Sequence, residues 1–411
     1  MLQSSVDIVS VTLTIIALIS SLWLFYNIPA FIVGFTQWIK NKKRREENPE
    51  TVDPPDNYQP KISIIVPVKN EQNVIERLLN ALVNLDYPQK EILLIEDGST
   101  DKTPQICQKW AKKHPSLIKC LHNSTSNGKP SAINLAAKEA TGEIIAVYDA
   151  DTILEPATLK KIIPHFKDPN VAAVQGELRT VNPDESLITR LSVLNDFVVN
   201  IQQLGKDRLN IFVPLLGTNQ YIRRNVLEEV GYWDSEALSE DTEISVRLAK
   251  RGYKVKYVPG TAGVEAPAKL RVFLFQRMKW LRGYTQAVMK HKDMIRTLNR
   301  KTLDTYLTLI FPIMLILGLV GYVGALYSIV QTPTAIPILQ IIGIALLALN
   351  LLTPVMFVSA NPRNAIYVPL IYFDWILLAS VSLYVHIRAL LGKPQKWTKT
   401  PKSGHITANN T

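Results

Sequence analysis

Apolar residues are spaced in two different ways along this chain. From 8 to 38 no residue is charged, and at about 1.5 Å per residue such a helix is longer than the roughly 30 Å hydrocarbon core of a bilayer. We predict a spanning helix over about 8–27 that ends near Pro29, followed by a piece that lies at the interface or crosses again. Three further apolar runs predict spanning helices near the C-terminus: about 306–330, 336–358 and 364–388.

Between these runs, short strand-like and helix-like segments alternate. The strand-like segments are "KISIIVPV", "EILLIED", "LIKCLH" and "EIIAVYD", and the helical segments between them are "NVIERLLNALVNL", "TPQICQKWAKKH" and "PSAINLAAKEA". Strands that alternate with helices of about ten residues indicate βαβ units and a parallel sheet. The carboxyl ends of such strands meet at one edge, where open α/β sheets bind their ligands. The predicted fold class is therefore α/β.

The distribution of charge indicates which side of a membrane the central part faces. The chain has 411 residues, of which 47% are hydrophobic, and a formal net charge of +11. "KNKKRREE" follows the first apolar region directly, and 269–301 carries ten Lys or Arg and one Asp. Basic residues beside spanning helices favour the cytoplasmic side. We assign the positive charge to topology and anionic lipid, and no motif for nucleic-acid binding is present.

These patterns predict a multi-pass protein of the cell membrane with a cytoplasmic domain. Three C-terminal crossings would place the basic tail outside, against the same charge rule, so the number of crossings and the side of the tail stay open. The predicted parts are an N-terminal transmembrane region (1–40), a basic then proline-rich linker (41–58), the cytoplasmic α/β domain (59–268), a basic amphipathic interfacial segment (269–304), C-terminal transmembrane helices (305–391) and a basic tail (392–411).

The fourth strand-like segment ends in two acids one residue apart. Asp149 and Asp151 can point to the same side of an extended chain, and like charges that close repel unless a cation lies between them. Carboxylates at the edge of a sheet suit Mg²⁺ or Mn²⁺ bound together with substrate phosphates. The alternative is a solvated acidic turn. We predict a divalent cation that holds a diphosphate.

Three other stretches carry charge at informative places. Lys129 in "SNGKPSAIN" starts a predicted helix, whose N-terminus attracts anions, although a surface lysine is the alternative. Glu240 and Asp241 in "LSEDTE" are candidate acid–base groups or residues that only suit the helix dipole. "FQRMKWLRGYTQ" is either part of a site or a membrane-surface helix. No Gly-x-Gly-x-x-Gly or Gly-Lys-Ser/Thr loop is present, which disfavours a dehydrogenase or a P-loop NTPase.

The order of these motifs resembles that of the membrane-bound family 2 glycosyltransferases. "PVKNE", "EDGSTD", "NGK", "DAD", "GTNQYIRR", "SEDTE" and "QRMKW" follow one another as in cellulose, hyaluronan and poly-N-acetylglucosamine synthases, over about 60–285. The resemblance implies the GT-A fold, a Rossmann-like domain that binds a nucleotide-diphosphate sugar. The domain would be embedded between N-terminal and C-terminal transmembrane helices.

The resemblance also implies roles for individual residues. Asp241 would be the catalytic base, and Asp149 and Asp151 would bind the Mg²⁺ or Mn²⁺. The donor nucleotide-diphosphate sugar would be bound by Val68, Glu71, Asp97, Lys129, Asp149 and Lys279. The acceptor would be bound by Gly217, Thr218, Asn219, Gln276 and Trp280.

The implied activity is an inverting, metal-dependent transfer from a UDP-sugar to a growing polysaccharide. Single addition to a lipid or lipid-linked acceptor is the alternative within the family, because Lys279 stands where processive synthases carry arginine. "GTNQ" also lacks the cysteine of the cellulose-synthase motif. A non-catalytic membrane scaffold with the same fold is the alternative of another class. The expected partners are the donor, a glycan or lipid acceptor and the bilayer, and an accessory subunit is left open.

Overall fold

The computed structural model describes residues 2–47, 58–123, 128–297, 299–331 and 352–391. The helices are α1 (Leu2–Glu47), α2 (Ile75–Val83), α3 (Thr103–Lys113), α4 (Lys129–Glu139), α5 (Thr158–Ile162), α6 (Leu187–Arg208), α7 (Arg224–Val230), α8 (Glu240–Lys250), α9 (Leu270–Lys290), α10 (Arg300–Leu309), α11 (Phe311–Gln331), α12 (Leu352–Ala360) and α13 (Val368–Leu390). The strands are β1 (Ile62–Val68), β2 (Lys90–Glu96), β3 (Ile118–His122), β4 (Ile144–Val147), β5 (Ile153–Leu154), β6 (Val171–Thr180), β7 (Gln220–Arg223) and β8 (Lys254–Val264).

The first half of the sheet has the predicted βαβ architecture. β1 pairs in parallel with β2 on one side and with β4 on the other, and β3 adds to β2 in parallel. Ile64 and Val66 on one face of β1 pack in a cluster with Leu78 of α2. Ile65 on the other face belongs to a cluster with Ile133 of α4. Because both faces are covered by helices, the strand sequences are almost continuously apolar.

The second half of the sheet is mixed, and the strand patterns that predicted parallel pairing did not extend to it. The strand order is β3-β2-β1-β4-β7-β6-β8-β5, with β7 antiparallel to β4 and β6 antiparallel to β7. β8 then pairs in parallel with β6. The long α6 lies between β6 and β7 in sequence, so these strands are neighbours through a crossover that strand patterns alone do not specify. The result is a curled mixed α/β sheet.

The predicted break at Pro29 does not occur. α1 is one helix of 46 residues with Pro29 inside it. A proline can be tolerated in a long apolar helix where neighbouring helices hold the chain in place. α1 packs closely on α6 at such a place, because a Cβ on Gly205 would lie 1.7 Å from the carbonyl oxygen of Ala30.

The described helices include two that are long and apolar enough to cross a membrane, 15–44 and 364–390. The run predicted at about 306–330 is instead a bent pair, since α10 and the first part of α11 meet at 60°. Counting that pair as one span would give up to three. Most of the run predicted at 336–358 lies outside the described residues, as do the tail after 391 and the linker 48–57.

Candidate active site

A cavity of about 420 Å³ lies where the carboxyl ends of β1, β2 and β4 meet the helices α6 and α9. All the candidate residues except Asn219 line it. We call the part formed by Val68, Asp97, Asp149 and Asp151 the strand end. The part formed by Asp196, Gln203, Arg277 and Trp280 is called the helix end.

The strand end is built from the ends of neighbouring strands. Val68 is the last residue of β1, and its carbonyl oxygen accepts a hydrogen bond from the backbone nitrogen of Asp97 at 3.0 Å. The Asp97 carboxylate in turn accepts from Asn123 Nδ2 at 2.8 Å. The backbone nitrogen of Glu71 donates to Thr103 Oγ1 at 2.8 Å. These bonds fix the loops after β1 and β2 beside each other.

Asp149 and Asp151 follow β4 and are held by different parts of the chain. The backbone nitrogen of Asp149 donates to Thr218 Oγ1 at 2.9 Å. Asp151 is only 2% exposed, and its carbonyl oxygen accepts from Arg77 Nη2 at 2.9 Å. Arg77 also forms an ion pair of 2.8 Å with Glu265. The loop that carries both acids is therefore tied to α2 and to the segment after β8.

Lys129 is surrounded by oxygen atoms. Its Nζ lies 2.8 Å from Asp149 Oδ1, 3.2 Å from Glu240 Oε1 and 2.8 Å from the carbonyl oxygen of Gly217. Burial alone would lower the pKa of Lys129, but the neighbouring carboxylates of Asp149, Glu240 and Asp241 outweigh it and raise that pKa above its ordinary value. The lysine therefore stays charged and keeps the acids together.

Gly217 allows this cluster to be compact. Its φ of +81° is in the left-handed region that favours glycine. A Cβ there would lie 3.1 Å from Asp241 Oδ2 and 3.4 Å from Lys129 Nζ. By contrast, the side chain of Asn219 is buried in the sheet, where Nδ2 donates to Thr261 Oγ1 at 2.7 Å. The structure does not bring Asn219 to the cavity.

Asp241 is the second residue of α8, and its carboxylate is oriented by its own helix start. Oδ1 accepts from Ser239 Oγ and from the backbone nitrogen of Thr242, both at 2.7 Å. Burial, and secondly the charge of Glu240, raise the pKa of Asp241 to about 6, against the lowering effect of these bonds and of Lys129. A carboxylate with that pKa is ionised at pH 7 and can still take up a proton, as a general base must.

α9 brings Gln276, Lys279 and Trp280 to the cavity. Gly283 makes this approach possible, because a Cβ there would lie 2.3 Å from Ser239 Cβ at the start of α8. Burial lowers the pKa of Lys279, while the charge of Glu240 opposes that change. The Arg277 guanidinium lies 4.2 Å from the ring centre of Trp280, which is 46% exposed.

The structure also brings residues to the cavity that sequence reasoning missed. Several polar side chains of α6 line the helix end. A signal was present in the sequence, because these residues recur at the three- and four-residue spacing of one helical face. That pattern ordinarily indicates a solvated surface, so it did not suggest a site.

Asp149 and Asp151 have the chemistry that a hard divalent cation requires. The convergence of Asp149, Glu240 and the Gly217 carbonyl on the Lys129 ammonium shows that this part of the cavity attracts positive charge with oxygen atoms. In the described ranges no group of three or more His, Cys, Asp or Glu could hold a metal ion. Two carboxylates fit a Mg²⁺ or Mn²⁺ that takes its other ligands from phosphates and water.

Comparison with known proteins decides the family. The family model described as glycosyl transferase family 2 matches residues 63–231. The probable glycosyltransferase YdaM of Bacillus subtilis is 31% identical over 370 residues, which cover 84% of this chain and 87% of the relative. The chain belongs to glycosyltransferase family 2.

Other members of family 2 share the central region. Beta-monoglucosyldiacylglycerol synthase of Nostoc is 33% identical over 60% of this chain and 54% of the relative. Poly-beta-1,6-N-acetyl-D-glucosamine synthase of Staphylococcus epidermidis is 27% identical over 60% of this chain and 59% of the relative. The matches thus span little more than half of these two relatives.

A solved structure supports the fold. The mannosyltransferase PcManGT from Pyrobaculum calidifontis, in complex with GDP-Man and Mn²⁺, superimposes with a TM-score of 0.61 at 20% identity, over 91% of this chain and 100% of that one. The mixed, curled sheet is therefore of the GT-A type, and the predicted fold class is confirmed.

Proposed function

We propose that this chain is an inverting glycosyltransferase that transfers a sugar from a nucleotide-diphosphate sugar, in the first instance a UDP-sugar, to a growing polysaccharide. The observation that carries the proposal is the juxtaposition of Asp241 with Lys129 and Asp149 in one cavity. A buried base beside a cluster that attracts a cation suits a reaction in which a hydroxyl loses a proton and a diphosphate leaves.

The proposed reaction is a single displacement. The acceptor hydroxyl gives its proton to Asp241, and its oxygen forms a bond to the anomeric carbon as the bond from that carbon to the diphosphate breaks. Attack from the face opposite the leaving group inverts the anomeric centre. Lys129 and Lys279 place positive charge where the diphosphate leaves. Val68, Glu71 and Asp97 hold the nucleoside, and Gln276 and Trp280 contact the acceptor.

Asp149 and Asp151 would hold the Mg²⁺ or Mn²⁺. When bound, such an ion supplies positive charge to the departing diphosphate. The Mn²⁺ and GDP-Man in the Pyrobaculum mannosyltransferase support this part of the proposal.

The acceptor has a second candidate. The Nostoc relative is named for synthesis of a glucosylated diacylglycerol, at an identity as high as that of any relative described above. That relative favours single addition to a lipid, whereas the Staphylococcus relative favours a polymer. Product size by gel filtration separates the two outcomes.

The experiment that tests the proposal uses the full chain in lipid vesicles. UDP-glucose, UDP-N-acetylglucosamine and GDP-mannose are supplied in turn with Mn²⁺, and nucleotide release is measured. We expect release from at least one of them. If none is turned over, and none binds, the chain is a scaffold that retains the fold and the proposal is overturned.

We also propose the orientation and the domain boundaries. The basic flanks of α1 and α9 favour a cytoplasmic catalytic domain at 59–268, with 269–304 at the interface and membrane helices at 1–40 and 305–391. Cysteines introduced at exposed positions of the domain should resist a membrane-impermeant thiol reagent in intact cells. Efficient labelling from outside would reverse this orientation.

A further inference from the structure

α6 carries a polar face that is buried in the protein. Seven polar side chains of α6 line the cavity: Ser192, Asn195, Asp196, Asn200, Gln202, Gln203 and Lys206. Gln203 is 3% exposed and Lys206 is 2% exposed. Burying polar groups is unfavourable unless they are hydrogen-bonded, so this face needs polar partners.

Most of these partners come from the protein. The Asp196 carboxylate accepts from the backbone nitrogen and the Oγ1 of Thr180, both at 2.7 Å. Asn200 Oδ1 accepts from the Tyr257 hydroxyl at 2.7 Å. Lys206 forms an ion pair of 3.1 Å with Asp304. These contacts hold α6 against the sheet and against α10.

Two amides of this face differ, because each has one polar atom that is buried without a hydrogen-bond partner among the described residues: Asn195 Nδ2 and Gln203 Oε1. Gln203 Nε2 donates to the carbonyl oxygen of Pro214 at 3.4 Å, whereas Oε1 is buried and has no hydrogen-bond partner within the described ranges. A carbonyl can only accept, so the Pro214 contact fixes which end of the amide is the oxygen. A residue that lines the cavity therefore has a buried acceptor without a donor.

Arg277 supplies a complementary group to the same cavity. Its Nε is buried and also lacks a hydrogen-bond partner in the part of the chain that the structure describes. The guanidinium lies between the rings of Phe273 and Trp280, 4.5 Å and 4.2 Å from their centres. An unused acceptor, an unused donor and a half-exposed indole suit a pyranose, which has several hydroxyls and an apolar face.

We propose that the helix end binds a saccharide unit of the acceptor, with Gln203 Oε1 accepting from one hydroxyl and Arg277 donating to another oxygen. This inference rests on the proposed glycosyltransferase activity and specifies its acceptor. A diacylglycerol has one free hydroxyl, which the reaction itself uses. The favoured acceptor therefore already carries sugar, either as a glycan or as a glycolipid headgroup.

The experiment compares three acceptors with the full chain in vesicles, using a nucleotide sugar that the wild type turns over. The probes are a soluble β-1,6-linked N-acetylglucosamine trimer, vesicles with monoglucosyldiacylglycerol and vesicles with diacylglycerol alone. Gln203→Leu removes the amide at similar size. Gln108→Leu is the control, because it makes the same substitution at an exposed position of α3 that does not line the cavity.

We expect a sugar-bearing acceptor to accelerate nucleotide release more than diacylglycerol does. Gln203→Leu should raise the KM for that acceptor about tenfold, the effect of losing one good hydrogen bond. The KM for the nucleotide sugar and the slow release without acceptor should not change, and Gln108→Leu should leave the acceptor KM unaltered. Arg277→Met should raise the same acceptor KM, which gives a second variant should Gln203→Leu fold poorly.

The three acceptors also separate the outcomes. Acceleration by the trimer identifies a glycan acceptor, and acceleration by the glucolipid identifies a lipid headgroup. The inference is overturned if diacylglycerol accelerates release as much as the sugar-bearing acceptors do and Gln203→Leu has no effect. Nucleotide release would in that case still support the transferase activity. An equal rise of the nucleotide-sugar KM in both glutamine variants would also overturn it, because Gln203 would then only support the fold. Absence of release from any nucleotide sugar would remove both proposals.

Discussion

The two ends of the cavity are built in different ways. At the strand end, Val68 is the last residue of β1, Asp97 directly follows β2, and Asp149 lies two residues after β4. These strands are parallel neighbours, so the register of the sheet sets the three positions. At the helix end, Gln203 and Arg277 come from α6 and α9, which also pack on α1 and α13, the helices that contain the two segments long and apolar enough to cross a membrane. The strand end should therefore be rigid and independent of these two helices, whereas the helix end should respond to changes in them.

The largest expected effect concerns the strand end. Chelation with EDTA should abolish transfer, and Mg²⁺ or Mn²⁺ should restore it, because the ion would neutralise the leaving diphosphate. Asp151→Asn should weaken donor binding and activity together, and binding of a nucleoside diphosphate measures the first of these. Full activity in EDTA would show that transfer needs no metal at the strand end. Lys129 would then be the main positive charge there.

The next effect concerns Asp241, which lies between the two ends. Asp241→Asn keeps the oxygen that accepts from Ser239 and Thr242 but cannot take a proton. Transfer should fall roughly 10²–10⁴-fold, the usual contribution of a general base, with donor binding near normal. Glu240→Gln should cost less, because adjacent helical residues point about 100° apart. If transfer rates measured side by side show a larger loss in Glu240→Gln than in Asp241→Asn, Glu240 is the base.

This contrast also shows what the sequence could predict. The residues of the strand end lie in short motifs after strands, and parallel pairing alone brings them together. The helix end depends on how α6 crosses α1 at Gly205, which no local pattern of α6 reveals. Its polar face has the spacing of a solvated helix, and only tertiary packing turns it inward. The inward turn of Asn219 has the same origin, since its amide bonds to strands distant in sequence.

A smaller effect tests the charge balance around Asp241. Lys129 lowers the pKa of Asp241 and Glu240 raises it. The base works when deprotonated, so wild-type transfer should fall as the pH drops through about 6. Lys129→Gln should move this acidic limb to higher pH, and Glu240→Gln should move it to lower pH. Below the limb the rate changes about tenfold for each unit of pKa. Rate–pH profiles measure these shifts. If Lys129→Gln and Glu240→Gln move the acidic limb in the same direction, Asp241 is not the titrating group.

The smallest expected effect concerns the interaction between Asp374 of α13 and Arg277 at the helix end. Asp374 of α13 is buried in an apolar helix, and such a residue ordinarily has a functional partner. Burial lowers the pKa of Arg277, and the charges of Asp374 and Asp196 oppose that change, so Asp374 offsets part of the cost of burying the guanidinium charge. The ring of Phe273, whose centre lies 4.5 Å from the Arg277 guanidinium, belongs to an apolar cluster against which Ile371 of α13 packs.

Asp374→Asn should therefore weaken the interactions that position Arg277. The KM for a sugar-bearing acceptor should rise about fivefold, the size expected for residues coupled by about 1 kcal/mol. The KM for the nucleotide sugar should not change, because α13 packs on α6, α9 and α11, whereas the strand-end residues belong to the ends of β1, β2 and β4. Ser380→Ala is the matched control, because Ser380 is at an exposed position of α13 and its hydroxyl donates to the carbonyl oxygen of Ile376 in the same helix. Equal changes in both Michaelis constants would show that the membrane helix acts on the whole cavity, and the two ends would then not be independent.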